Sequence, residues 1–155
     1  MENMRFRLPV QVHTIVFRKR AGNIEYLLLK RVPKRGGFWQ PISGGLESDE
    51  TMLQCLRREL REEAGISRVK KIIPGIHFFQ FTEFGTYLKG NHCTFSEFCF
   101  GAQVGSKTEP DITRNPCDEH DAVRWCTFKE AINLLKWENN KVALRKLNAI
   151  LMKKK

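Results

Sequence analysis

The chain has 155 residues, 41% of them hydrophobic and 28% charged, which suits a single globular domain spanning residues 1–155 with its own core. Nothing in it approaches the ~18 consecutive apolar residues of a membrane span, and the opening MENMRFRLPVQVH lacks the apolar run of an export signal. The net charge of +10 favours anionic partners such as nucleotides, RNA or acidic surfaces, but no basic run is long enough to form a nucleic-acid-binding arm, and the closing KKK reads as solvated surface.

In chain order, VQVHTIVFRK (Val10–Lys19) and IEYLLLKRV (Ile24–Val32) are rich in β-branched and apolar residues, and AGN between them predicts a β-hairpin. PKRGG (Pro33–Gly37) is a loop, and FWQPIS is a short strand leading to Gly44 and Gly45. The period then changes. Met52, Leu53, Leu56, Leu60 and Ala64 recur at helical spacing, with Ser48 or Asp49 as the cap and Gly65 as the stop. KIIPGIHFFQF, FSEFCFGAQV and AVRWCTF (Ala122–Phe128) are three further strands. KEAINLL is a short helix, and a last helix starts near Asn140 with Val142, Leu147, Ile150 and Leu151 along its inner stripe. The order β-β-β-α-β-β-β-α-α predicts an α+β fold: a mixed sheet with one central helix and terminal helices. The five cysteines (Cys55, Cys93, Cys99, Cys117, Cys126) form no Cys-x-x-Cys pair. They read as reduced thiols used as small core residues, which points to the cytoplasm.

The central helix carries the chemistry. With about 100° per residue and Glu59 at zero, Glu63 lies about 40° to one side and Glu62 about 60° to the other, so the three carboxylates share one arc. Leu53, Leu56, Leu60 and Ala64 occupy the next arc, and Arg57, Arg58 and Arg61 the third. Two readings compete: a solvated face of Arg–Glu pairs, or a cation site. Glu59 and Glu63 are like charges at i,i+4, which costs roughly 0.2–0.5 kcal/mol. A hard divalent cation among the carboxylates would remove that cost, because Mg²⁺ takes oxygen ligands.

GGLESDETMLQCLRRELREEAGI (residues 44–66) resembles the 23-residue box of the Nudix hydrolases. That box reads Gly, five residues, Glu, seven residues, Arg-Glu, an apolar residue, any residue, Glu-Glu, any residue, Gly, apolar. Gly44, Glu50, Arg58, Glu59, Leu60, Glu62, Glu63, Gly65 and Ile66 fill every specified position. A given window would match by chance on the order of once in 10⁹. The resemblance implies a Nudix-type α/β/α sandwich around a mixed β-sheet with a central loop-helix-loop. It also implies hydrolysis of a nucleoside diphosphate linked to another group, with Mg²⁺ or sometimes Mn²⁺. Carried over residue by residue, Glu59, Glu62 and Glu63 are metal ligands, joined by a main-chain carbonyl at Ser43 or Gly44. Arg58 and Glu50 form an ion pair that holds the loop and orients the carboxylates.

A polyphosphate repels a nucleophilic water, so the chemistry needs charge neutralisation, positioning and a base that takes the water's proton. In this family the base is often a carboxylate outside the box. Glu119 and Glu97 are the candidates, each also readable as a solvated or core-flanking acid, and His120 lies beside Glu119. FWQPISGG, DEHDAVRW and KWENNKVALRKLNAI look like the corresponding segments of dihydroneopterin triphosphate diphosphatases, also described as dATP pyrophosphohydrolases. The Trp-Gln pair also occurs in diadenosine tetraphosphate hydrolases and RNA 5′-pyrophosphohydrolases, but PISGG departs from the Pro-Gln-Gly-Gly of the RNA enzymes, and RNA is the less favoured substrate. Asp49 stands where many relatives place glycine.

Trp39 and Gln40 are the expected substrate contacts, Trp39 stacking on a purine or pterin ring; Trp125 and Trp137 read more readily as packing. His13, His77 and His92 show no ligand spacing. The expected activity is hydrolysis of a nucleoside or pterin triphosphate to the monophosphate and pyrophosphate, by a monomer or homodimer. A diadenosine polyphosphate hydrolase, an RNA 5′-pyrophosphohydrolase and a non-catalytic nucleotide-binding module are the alternatives. The intact glutamates count against the last.

Overall fold

In the computed structural model, which describes residues 5–84, 90–115 and 117–153, the two apolar N-terminal stretches form β1 (Arg7–Arg20) and β2 (Asn23–Arg31). They pair antiparallel across Ala21-Gly22, both at positive φ, the two-residue geometry that follows the twist of a hairpin. A 3₁₀ turn at Pro33–Arg35 leads to β3 (Trp39–Gln40) and β4 (Ile42–Glu47). The sequence reading made these one strand. Pro41 between them has no N–H for a ladder, so β3 stays on β2 while β4 crosses to β1.

Helix α1 (Met52–Ala64) starts at Thr51, not at Ser48 or Asp49. Thr51 Oγ1 accepts from the Gln54 N–H and the Gln54 side chain accepts from the Thr51 N–H, a reciprocal capping box. Gly65 ends the helix at φ 62°, as expected. β5 (Lys71–Phe84) and β6 (His92–Gln103) make a long antiparallel pair. β7 (His120–Cys126) returns to β2, and α2 (Phe128–Leu134) and α3 (Glu138–Met152) follow. Of the KKK tail, residues 154 and 155 lie outside the described residues.

The seven strands form one sheet, β3-β2-β1-β6-β5, with β4 added to β1 and β7 to β2. Only β1–β6 is parallel among the strand pairs, so the sheet is mixed. One face buries Val12, Val16, Leu27 and Leu29 with Leu56 and Leu60 of α1. The other buries Ile15, Phe17, Tyr26 and Leu28 with Leu144 and Leu147 of α3. The period-2 alternation of the strands serves both cores at once, which makes the α/β/α sandwich. Three stripe assignments change. Leu53 is exposed, while Cys55 turns inward; on α3 the inner stripe runs through Ala143 and Leu144 rather than Val142. Cys55, Cys99 and Cys126 are buried as expected, but Cys117 is exposed. No described helix is long and apolar enough to cross a membrane.

Candidate active site

Strand β4 and helix α1 approach so closely that the Glu59 side chain occupies the space beside Gly44. A Cβ on Gly44 would lie 2.0 Å from Glu59 Cδ. Glycine is required here by contact, not by φ. Arg58 locks the arrangement. Its Nη2 and Nε donate to Glu50 Oε1 and Oε2 (2.6 and 3.1 Å), Nη2 also donates to the Gly45 carbonyl (3.0 Å), and Nη1 donates to Glu59 Oε1 (2.6 Å) and Glu62 Oε2 (3.4 Å). The expected Arg58–Glu50 pair is present, and a planar five-donor fork is the group suited to it. The Arg58 guanidinium holds the Glu50 carboxyl below its ordinary range.

The two inner box carboxylates are under electrostatic stress. Burial pushes Glu59 up to about 7, outweighing its bond to Arg58. Glu63 is raised well above 4.5 by burial, then by the neighbouring Glu59 and Glu119; the Ser43 backbone N–H and Arg31 oppose this. Glu63 Oε2 is buried with no hydrogen-bond partner among the described residues. Glu62 stands half-exposed on the outer edge.

Glu119, from the loop before β7, comes to the same place. Ligand atoms of Glu63, Glu119 and His120 lie within 4.8 Å of one another. Burial pushes His120 down to about 4, so its ring is neutral near pH 7; Gln40 Nε2 faces its Nε2 at 3.4 Å. Converging oxygen donors with an orphaned buried oxygen fit a hard divalent cation. Glu59, Glu63, Glu119 and His120 could hold it, with Glu62 at the rim.

These groups open onto a cleft of about 1010 Å³ that Ser43, Gly44, Arg58, Glu59, Glu63, Glu119 and Gln40 all line. Trp39 does not line it. Neighbouring strand residues face opposite ways, so Gln40 turns to His120 while Trp39 packs on the α2/α3 core beside Leu135. The cleft's aromatic walls are Phe38 and Trp137, edge to face at 5.7 Å, with Phe79 and Phe81 on β5. Sequence reasoning missed the phenylalanines, since alternating apolar residues on a strand also describe a core face. Glu97 lines the cleft too, but its Oε1 is 2.7 Å from His13 Nδ1.

The NUDIX domain family matches residues 7–147. The chain belongs to the Nudix family. With that comes the enzyme class, a Nudix pyrophosphohydrolase acting on phosphorus-containing anhydrides; such hydrolases generally use divalent metal ions. The chain is similar to the asymmetrical bis(5′-nucleosyl)-tetraphosphatase of Caenorhabditis elegans (28% identical, covering 88% of this chain and 92% of that one). It is also similar to the dihydroneopterin triphosphate diphosphatase of Haemophilus influenzae (26%, covering 92% and 89%). An octanoyltransferase of Myxococcus xanthus is 28% identical over 96% of this chain, which spans only 40% of that protein's length. A Listeria monocytogenes structure described as a Nudix hydrolase superposes with a TM-score of 0.77 at 29% identity, covering 94% and 96% of the two chains.

Proposed function

We propose that this Nudix enzyme hydrolyses a nucleoside or pterin triphosphate to the monophosphate and pyrophosphate. The observation that carries the reading is the lining of the cleft: the carboxylates Glu59, Glu63 and Glu119 and the arginines Arg31, Arg35 and Arg58 share one cavity with the aromatic rings of Phe38, Phe79, Phe81 and Trp137. That pairing suits a polyphosphate attached to a flat heterocycle. The similarity to the Haemophilus influenzae diphosphatase supports it.

Glu59, Glu62 and Glu63, with a carbonyl at Ser43 or Gly44, are the groups we assign to Mg²⁺ or Mn²⁺. Such an ion, when bound, neutralises phosphate oxygens and acidifies a water. Arg58 keeps Glu59 and Glu50 in register. Arg31 and Arg35 line the cleft near Glu119, where they attract the phosphate chain. Of the two candidate bases we favour Glu119 to take the attacking water's proton, because a carboxylate oxygen of Glu119 lies within 4.8 Å of one of Glu63, whereas Glu97 is held by His13. Water adds to phosphorus, the anhydride P–O bond breaks, and pyrophosphate leaves with the electron pair.

A second reading, cleavage of a dinucleoside tetraphosphate, draws on the Caenorhabditis elegans similarity, which covers nearly as much of the chain. The test is a nucleotide panel with Mg²⁺ or excess chelator, with products resolved by phosphorus NMR. We expect dATP or dihydroneopterin triphosphate to give monophosphate and pyrophosphate only when metal is present. Turnover confined to diadenosine tetraphosphate would favour the second reading, and full turnover in chelator would overturn both.

A further inference from the structure

The arginines lining the cleft are not equivalent. Arg58 is taken by Glu50, Glu59 and Glu62, Arg35 pairs with Glu119, and Arg5 pairs with Glu47 and Asp49. Arg7 donates to the Gln11 carbonyl oxygen at 2.9 Å once that amide is turned toward it. Arg31 lines the same cleft, and among the described residues its side chain makes no hydrogen bond or ion pair.

Its place follows from the fold. Arg31 ends β2, and the alternation that sends Leu27 and Leu29 toward α1 sends its side chain to the same face. Its backbone N–H donates to the Phe38 carbonyl at 2.9 Å, and its guanidinium carbon stands 5.8 Å from the centre of the Phe38 ring. Its charge is also felt by Glu63 and His120, so it stands where the carboxylate cluster meets the aromatic wall. Glu63 is near enough to feel that charge, yet its Oε2 bonds to nothing. A half-buried cation and a buried carboxylate that leave each other unsatisfied are both costly. A phosphate carrying a metal ion satisfies both, the metal meeting the carboxylate and the phosphate oxygens meeting the guanidinium. Of the Arg31 side-chain nitrogens only Nε is enclosed without a partner, so the Nη groups keep surface on the cleft. Their planar N–H donors match two non-bridging oxygens of a phosphoryl group.

We infer that Arg31 is the residue that grips the phosphate chain: its Nη groups donate to non-bridging oxygens and hold the polyphosphate between the carboxylates and the aromatic wall. The inference rests on the reading of the cleft as a nucleoside or pterin triphosphate site. Isothermal calorimetry with inorganic tripolyphosphate in Mg²⁺ tests it without a heterocycle. Arg31→Gln should weaken binding at least ~10-fold, whereas Arg20→Gln, which removes the same charge at the β1–β2 turn outside the cleft, should weaken it less than ~3-fold. Arg31→Lys keeps the charge but not the fork, and should fall between the two. Binding by Arg31→Gln that matches the wild type, or that falls no further than in Arg20→Gln, overturns the inference. Mn²⁺ binding to the nucleotide-free protein, read by electron paramagnetic resonance, separates phosphate contact from damage to the site. Taking a cation away from Glu63 should leave Mn²⁺ affinity equal or higher. A loss of Mn²⁺ affinity as large as the loss of tripolyphosphate binding makes Arg31 a support for the carboxylates and overturns the inference as well. If the wild type hydrolyses neither dATP nor dihydroneopterin triphosphate, the proposed function fails, while the tripolyphosphate comparison still decides the role of Arg31.

Discussion

Arg58 bonds to Glu50, Glu59, Glu62 and the Gly45 carbonyl, so it joins loop, strand and helix through one side chain. Removing it leaves Glu50 and Glu59 largely buried without their arginine partner, and Arg58→Ala should cost about 3 kcal/mol in chemical denaturation as well as activity. Glu62→Gln, at the exposed edge, should separate the two effects: kcat falls at least ~10²-fold while stability stays within about 0.5 kcal/mol. A Glu62→Gln enzyme with wild-type kcat would show that Glu62 is only a solvated side chain and holds no metal. The stressed carboxylates also set a pH dependence. Glu59 sits at about 7 in the folded chain and ordinarily near 4.5, with Glu63 raised as well. Between those values the folded state holds more protons than the unfolded one, so metal-free protein loses stability as pH rises from 4.5 to 7. For Glu59 alone the loss is on the order of 3 kcal/mol. A cation bound to the ionised pair opposes this, so Mg²⁺ should raise Tm at pH 7.5 and hardly at pH 5. A Tm in chelator that does not change with pH would contradict the burial of these groups.

The contact between β4 and α1 makes its two glycines unequal. A Cβ at Gly44 meets the Glu59 carboxyl; at Gly45 it meets Arg7 Nε at 2.0 Å, the far end of an exposed, flexible side chain. Gly44→Ala should therefore cut kcat by at least ~10²-fold, whereas Gly45→Ala should cost less than ~10-fold, both measured at saturating substrate. Comparable losses would mean that β4 itself, not the Glu59 contact, governs the site. This element was the most legible part of the sequence, because the box sets local spacings on one helix and one adjoining strand. The hairpin and the Gly65 stop were readable for the same reason. What the sequence concealed depends on pairing across distance. His13 is one histidine in an apolar strand, and its partner Glu97 reaches it only through the β1–β6 register. Trp39 and Gln40 were given one role although adjacent strand residues must face opposite ways. The cap was misplaced because Ser48, Asp49 and Thr51 are all good caps, and only Thr51 has Gln54 three residues on.

Across the whole molecule, the +10 charge and the cleft arginines act together on a polyanionic substrate. We expect kcat/KM to fall as NaCl rises from 50 to 300 mM, with kcat almost unchanged, because salt screens encounter rather than chemistry. A salt-independent kcat/KM would show that the surface charge plays no part in capture.

Strand β1 has three partners, and their positions along the chain differ widely. β2 follows at once, β4 ends at Glu47, and β6 does not begin until His92. β2 likewise waits for β7, which starts at His120. A ribosome therefore releases the middle of the sheet well before the strands that flank it, with both faces of β1 already committed to cores that cannot yet close. The order of assembly is long-range by construction, which places refolding in the slower range of mixed α/β chains. The nascent chain must keep the open edge of β2 from foreign partners until β7 has been made, as far as Cys126.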